Sequence, residues 1–75
     1  MSVSRAPFRE RMVARLTTRN GTAFKIVQTA PHWFSVRRAV AHGRGLRSWA
    51  TVGGGGSVSA ARDIVRLFDE GHPPA

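Results

Sequence analysis

The dipeptide Asn20-Gly21 sits inside LTTRNGTAFKIV, between two runs of β-compatible residues. Both residues tolerate positive φ, and turn chemistry of this kind between strand formers points to an antiparallel hairpin. Two registers compete, and the apolar pattern chooses between them. A two-residue turn sets Leu16 against Lys25 and Thr17 against Phe24, which mixes polar and apolar side chains on both faces. A type I turn with a bulge at Gly21 sets Leu16 against Phe24, Ala14 against Ile26 and Met12 against Gln28, gathering most apolar residues on one face. The bulged register is preferred. Its opposite face carries Val13, Arg15, Thr17, Lys25 and Val27.

Ala30-Pro31-His32 interrupts the next run, after which residues 33–41 alternate: Phe34, Val36 and Val40 on one side, Trp33, Ser35, Arg37 and Ala39 on the other. Arg38 falls on the apolar side, where an edge position lets its stem cover apolar surface while the guanidinium reaches water. His42-Gly43-Arg44-Gly45 is turn chemistry, and Leu46, Ser48, Ala50 and Val52 then oppose Arg47, Trp49 and Thr51. The last element is helical, with Ala61, Ile64, Val65 and Phe68 at i, i+3, i+4 and i+7, a cap at Ser57 or Ser59, and a stop at Gly71 before Pro73. The expectation is a two-layer α+β domain: an antiparallel four-stranded meander with one C-terminal helix on one face. A rival reading of the N-terminus makes it helical, because Phe8, Met12 and Leu16 recur every four residues, with Ser4 as N-cap and Pro7 in the first turn. A short helix over 8–11 leading into a strand near Met12 reconciles the two. Residues 1–11 read as a basic arm, 12–71 as the domain and 72–75 as a disordered tail.

A chain of 75 residues buries only roughly 60% of its unfolded surface and supports one core. It has no cysteine, so neither a disulfide framework nor a thiolate metal site is available, and His32, His42 and His72 are widely spaced. No metal or cofactor is expected. A domain this small gains core by pairing with a copy of itself, so a homodimer is an expectation. The apolar runs are too short to cross a bilayer, and with no secretory segment recognised the reading is a cytoplasmic protein that does not engage membranes.

Charge narrows the partner. Twelve basic residues face four acidic ones, for a net charge of +8. Ten of the bases precede residue 51, against Glu10 alone, while Arg62 and Arg66 are outnumbered by Asp63, Asp69 and Glu70. Eleven of the twelve are arginine, whose planar fork suits phosphate contact and stacking. Codon bias in a GC-rich genome explains arginine over lysine equally well, but not the shortage of acids. An excess of this size attracts polyanions.

The run GGGGS between Val52 and Val58 invites a phosphate-cradle reading. It lacks the lysine of a Walker A loop, and the chain as read continues for only one helix, without the second strand and distal acid of a dinucleotide fingerprint. What remains is a phosphate contact from Gly56, Ser57 and Ser59 at the helix start, a flexible strand-to-helix connection, or a join of the composition used in designed linkers. No nucleophile elbow, no HExxH motif and no carboxylate pair apart from the helix is present. The chain reads as a non-enzyme.

The sheet face away from the helix is more informative. Trp33 and Trp49 would share it with Arg37 and Arg47, joined by Arg15 and Lys25 from the first hairpin; Arg38 and Arg44 complete the candidate nucleic-acid-binding set. Rings interleaved with guanidinium groups can stack bases and track phosphates. Tryptophan also finishes cores and interfaces, and a one-step register change would bury both. In WFSVRRAVAHGRGLRSWATVGGGGSVSAARDIVRLF the order of strand, basic strand, glycine turn, strand, loop and helix resembles the arm-type DNA-binding domain of phage and transposon integrases. That resemblance covers about half of the chain and implies a sheet that enters a major groove, with Arg37, Arg47, Ser35 and Trp49 turned to DNA. The glycine run and the first hairpin depart from the family pattern. The first hypothesis is a small nucleic-acid-binding domain, DNA ahead of RNA. The second is a phage or mobile-element accessory protein that binds and inhibits or adapts a host protein, since Trp and Arg also dominate interface hot spots.

Overall fold

The computed structural model describes residues 8–71. Strands β1 (Arg11–Thr17), β2 (Ala23–Ala30), β3 (Trp33–Ala41) and β4 (Arg47–Gly55) form one antiparallel sheet in the order β1-β2-β3-β4, and helix α1 (Val58–Asp69) follows. This is the α+β arrangement that the alternating runs and the single 3.6-period stripe call for.

Gly21 adopts φ 86° and donates its N–H to the Thr18 carbonyl at 2.9 Å, closing the first hairpin. Leu16 then faces Phe24 and Ala14 faces Ile26, as the apolar pattern requires. Met12 does not face Gln28. The register steps at Val13, so that Met12 opposes Val27 on the face away from the helix and Arg11 opposes Gln28. The reason is polar satisfaction: the Gln28 side chain is buried, and its Oε1 accepts from Arg11 Nε at 2.9 Å while its Nε2 donates to the Pro31 carbonyl at 3.2 Å. A methionine in place of Arg11 would leave that buried carbonyl without a donor. Arg11 is already strand and residues 8–10 are not helical, so no helix spans 8–11. The arm before residue 8, with Ser4 and Pro7, and the tail 72–75 lie outside the described residues.

The glycine run is not a loop. β4 continues through Gly53, Gly54 and Gly55, which pair with Val36, Ser35 and Phe34, leaving Gly56 and Ser57 as the whole connection to α1. Glycine serves here by what it lacks. A Cβ on Gly55 would lie 2.7 Å from the Ala60 Cβ, and one on Gly53 would lie 3.0 Å from Ile64 Cδ1, so the bare strand lets the first turns of the helix sit directly on the sheet.

The Ser57 hydroxyl caps α1 by accepting from Ala60 N at 3.1 Å, and Gly71, at φ 79°, donates to the Phe68 carbonyl at 3.1 Å to end it. Between these caps the apolar stripe buries Ala61 and Val65 against Phe24, Ile26 and Val36, with the Phe24 and Phe68 ring centroids 5.3 Å apart.

The far end of α1 is tied to the hairpin turn. Arg19 donates its backbone N–H to Asp69 Oδ1 at 2.8 Å, its Nε lies 3.3 Å from Asp69 Oδ2, and its Nη2 donates to the Asp69 carbonyl at 3.1 Å. The backbone hydrogen bond from Arg19 is the main cause that holds the Asp69 carboxyl below its ordinary value of 3.8; burial opposes it, and the charge and side-chain hydrogen bond of the Arg19 guanidinium add smaller lowering effects. Because the folded value is depressed, this contribution is complete above the unfolded value and disappears as pH falls through the folded one. Asp69→Asn keeps an acceptor oxygen and removes the charge. Its urea midpoint is expected to lie below that of the parent near neutrality, with the gap closing in strong acid; a gap that persists unchanged in acid would contradict the assignment.

Candidate nucleic-acid interface

Alternation in β1, β2 and β3 sends one set of side chains under α1 and the other to the opposite face. Cross-strand pairing places Arg15, Lys25, Arg37 and Thr51 in one row across all four strands of that opposite face. The next row toward the β2–β3 turn is Met12, Val27, Ser35 and Gly54. Ala39 and Trp49 form a pair on the other side of the cationic row. Val27 and Ser35 are buried even though α1 lies on the other side, so the centre of this face is closed.

Three adjacent cations directly opposite one another disfavour the sheet by roughly 0.2–1 kcal/mol per pair unless their charges are diverted. Two are. The Lys25 ammonium sits 4.4 Å from the centroid of the Trp49 ring, a cation–π contact. Arg37 Nη2 donates to Glu10 Oε1 at 2.8 Å, and this arginine is the more enclosed partner, with 25% of its side chain exposed against 53% for Glu10. Arg15 is exposed and forms no ion pair among the described residues. Glu10 is thus the one acid on this face among the described residues; the other three lie on the helix side of the sheet, where Asp63 pairs with Arg66 at 3.6 Å along α1, Asp69 holds Arg19 and Glu70 caps the helix.

Both tryptophans fall on the face away from α1. They differ in setting. Trp49 is half-buried beneath Lys25, whereas Trp33 leans over Gly54, where a Cβ would come within 2.7–2.9 Å of Cζ2, Cε2 and Nε1 of the indole; Trp33 remains 48% exposed. Beyond the Phe24–Arg38 pair, β3 and β4 continue as a two-stranded ribbon through Ala41 and Arg47. Arg44 is at its tip with φ 54°, between Gly43 and Gly45 at φ 66° and 74°. An arginine there holds a left-handed conformation that glycine adopts freely, at a cost of about 1 kcal/mol.

Among the sequence candidates, Arg15, Lys25, Arg37, Trp33 and Trp49 share the far face, and Arg47 and Arg44 lie along the ribbon that extends it. Arg38 does not join them. It sits on the helix side, opposite Ala50, and lines a cavity of about 140 Å³ with Thr18, Asn20, Phe24 and Phe68. Gly56, Ser57 and Ser59 are likewise on the helix side at the start of α1, and the Ser57 hydroxyl is occupied by its own helix. Sequence reasoning missed Glu10: a lone acid in a basic arm carries no periodic signal, and only its contact with Arg37 gives it a role. Met12 also escaped, because a one-residue slip moved it onto this face. Among the described residues, no cluster of three or more potential ligand side chains forms a metal site and no helix is long and apolar enough to cross a membrane. Compared with protein-family models, curated proteins and solved structures, the chain matches none of them.

Proposed function

We propose that the protein is a small, non-enzymatic nucleic-acid-binding domain that contacts phosphates through the cationic sheet face, with DNA ahead of RNA. The observation that carries this reading is the row Arg15, Lys25 and Arg37 on a face from which Asp63, Asp69 and Glu70 are all segregated. Such a row opposes folding electrostatically and gains from a polyanion laid across it. Lys25 rests on a ring and Arg37 on a partly exposed carboxylate, so both can change partners without unfolding anything. DNA is placed ahead of RNA on the order of elements alone, basic sheet followed by helix.

The test is a fluorescence-anisotropy titration with labelled oligonucleotides over a salt series. Affinity is expected to fall linearly in log–log form as salt rises. Arg37→Glu combined with Arg47→Glu should bind at least about tenfold more weakly at roughly 0.1 M salt and lower the slope by about 1.8, if each arginine neutralises one duplex phosphate. Failure to bind duplex or single strands even at low salt would overturn the reading. The exposed Trp33 and Met12 favour the second reading, an accessory protein docking on a host protein through this same face. A stoichiometric protein complex that survives nuclease and high salt would establish that reading in place of the first.

A further inference from the structure

The two tryptophans on the cationic face are not equivalent, and the difference bears on which form of nucleic acid the face accepts. We infer that Trp33 is a stacking platform for an unpaired base, and that the face takes single-stranded nucleic acid in preference to duplex. This rests on the nucleic-acid reading above and adds the strandedness of the ligand.

Three observations lead there. The Trp33 indole is held in place by the bare backbone of Gly54, yet about half of the residue faces solvent, so the ring is positioned before any ligand arrives. A large aromatic ring fixed in this way loses little freedom when a second ring stacks on it. Trp49 is the less available platform, because it is half-buried and the Lys25 ammonium lies over it until a phosphate draws it away.

Position supplies the second argument. The Trp33 ring leans over Gly54, which pairs with Ser35, and the row of Lys25 and Arg37 is two residues further along the strands, about 7 Å away. A base on Trp33 would therefore have its own backbone beside the cations. Arg15, Lys25 and Arg37 carry that track across three neighbouring strands, and a flexible single strand can follow it.

Width supplies the third. The four strands of this face span about 14 Å between their outer backbones before side chains are added, whereas the major groove is about 12 Å wide and admits a helix or a two-stranded ribbon. The row cannot lie flat inside it. Bases in a duplex are also stacked on one another, so use of Trp33 would require them to be unstacked at a cost that a single strand does not incur.

The experiment compares an unlabelled thymidine homopolymer with a duplex of equal length, using the full chain at low salt, and follows both indoles by fluorine NMR of fluorotryptophan-labelled protein. The single strand should bind at least about tenfold more tightly and shift the Trp33 signal. Trp33→Ala should weaken single-strand binding by about 5- to 150-fold with little change for duplex, while Trp33→Phe retains most of the affinity. Circular dichroism of each variant confirms that the fold is kept. Equal affinity for the two forms, an unmoved Trp33 signal, or parental affinity in Trp33→Ala would overturn this inference while the phosphate-contact reading stands. Absence of binding to either form overturns both.

Discussion

Phe24→Ala is expected to abolish cooperative folding. Phe24 is 1% exposed, belongs to the buried cluster with Ile26 and Val36, and meets the Phe68 ring from α1 at 5.3 Å. Truncating a buried phenylalanine costs about 3–5 kcal/mol through lost transfer energy and the cavity left behind. A domain of this size has a total stability on the order of 5 kcal/mol. Neighbours cannot collapse into the gap easily, because the sheet is hydrogen-bonded beneath it and Arg19 and Asp69 anchor the end of α1 nearby. Urea titration followed by circular dichroism should show either no pre-transition baseline or a midpoint reduced by more than half. A midpoint near that of the parent would mean that the helix does not depend on this contact.

Gly55→Ala carries the second largest effect, and its sign is what matters. Replacing glycine with alanine in ordinary backbone stabilises by about 0.4–1 kcal/mol, because the unfolded chain loses freedom. Gly55 has ordinary backbone, but a methyl group there would meet the Ala60 Cβ at 2.7 Å, and Ala60 cannot swing aside because its Cβ is fixed to the helix. The first turn of α1 must lift from β4. We expect a loss of about 2 kcal/mol and a melting temperature lower by about 10 °C. Gly56→Ala is the control: its added methyl would find only the His32 carbonyl, at 3.7 Å, and should stay within about 0.5 kcal/mol of the parent. If the two substitutions behave alike, the strand assignment of the glycine run is wrong, since a linker would not distinguish them.

That contrast also marks how far the sequence could be read. Leu16 against Phe24 and Ala14 against Ile26 are legible because only one register of the hairpin sorts those side chains by polarity. The helix is legible because Ala61, Val65 and Phe68 recur with its period, and the face bearing Arg15, Lys25, Arg37 and both tryptophans is legible through simple alternation. Gly53, Gly54 and Gly55 are illegible for the reason that makes them useful: without side chains they give no pattern, and their role is set by Ile64, Trp33 and Ala60, which are remote in sequence or folded back upon them. Alternation alone puts Met12 on the wrong face because it has no memory of an inserted residue, and the need that inserts Val13 lies in the amide of Gln28 on another strand. The Arg37–Glu10 pair spans 27 residues and belongs to no period at all.

Both outer strands break step once, β1 at Val13 and β4 at Val52. A second copy offered to either margin would find the ladder of free amides and carbonyls interrupted after a few residues, and the local twist turned away from it. A sheet whose outer strands have no further strand partner among the described residues is thereby kept from growing by lateral addition. Self-association, where it occurs, is directed to the broad faces of the molecule and away from its strand margins.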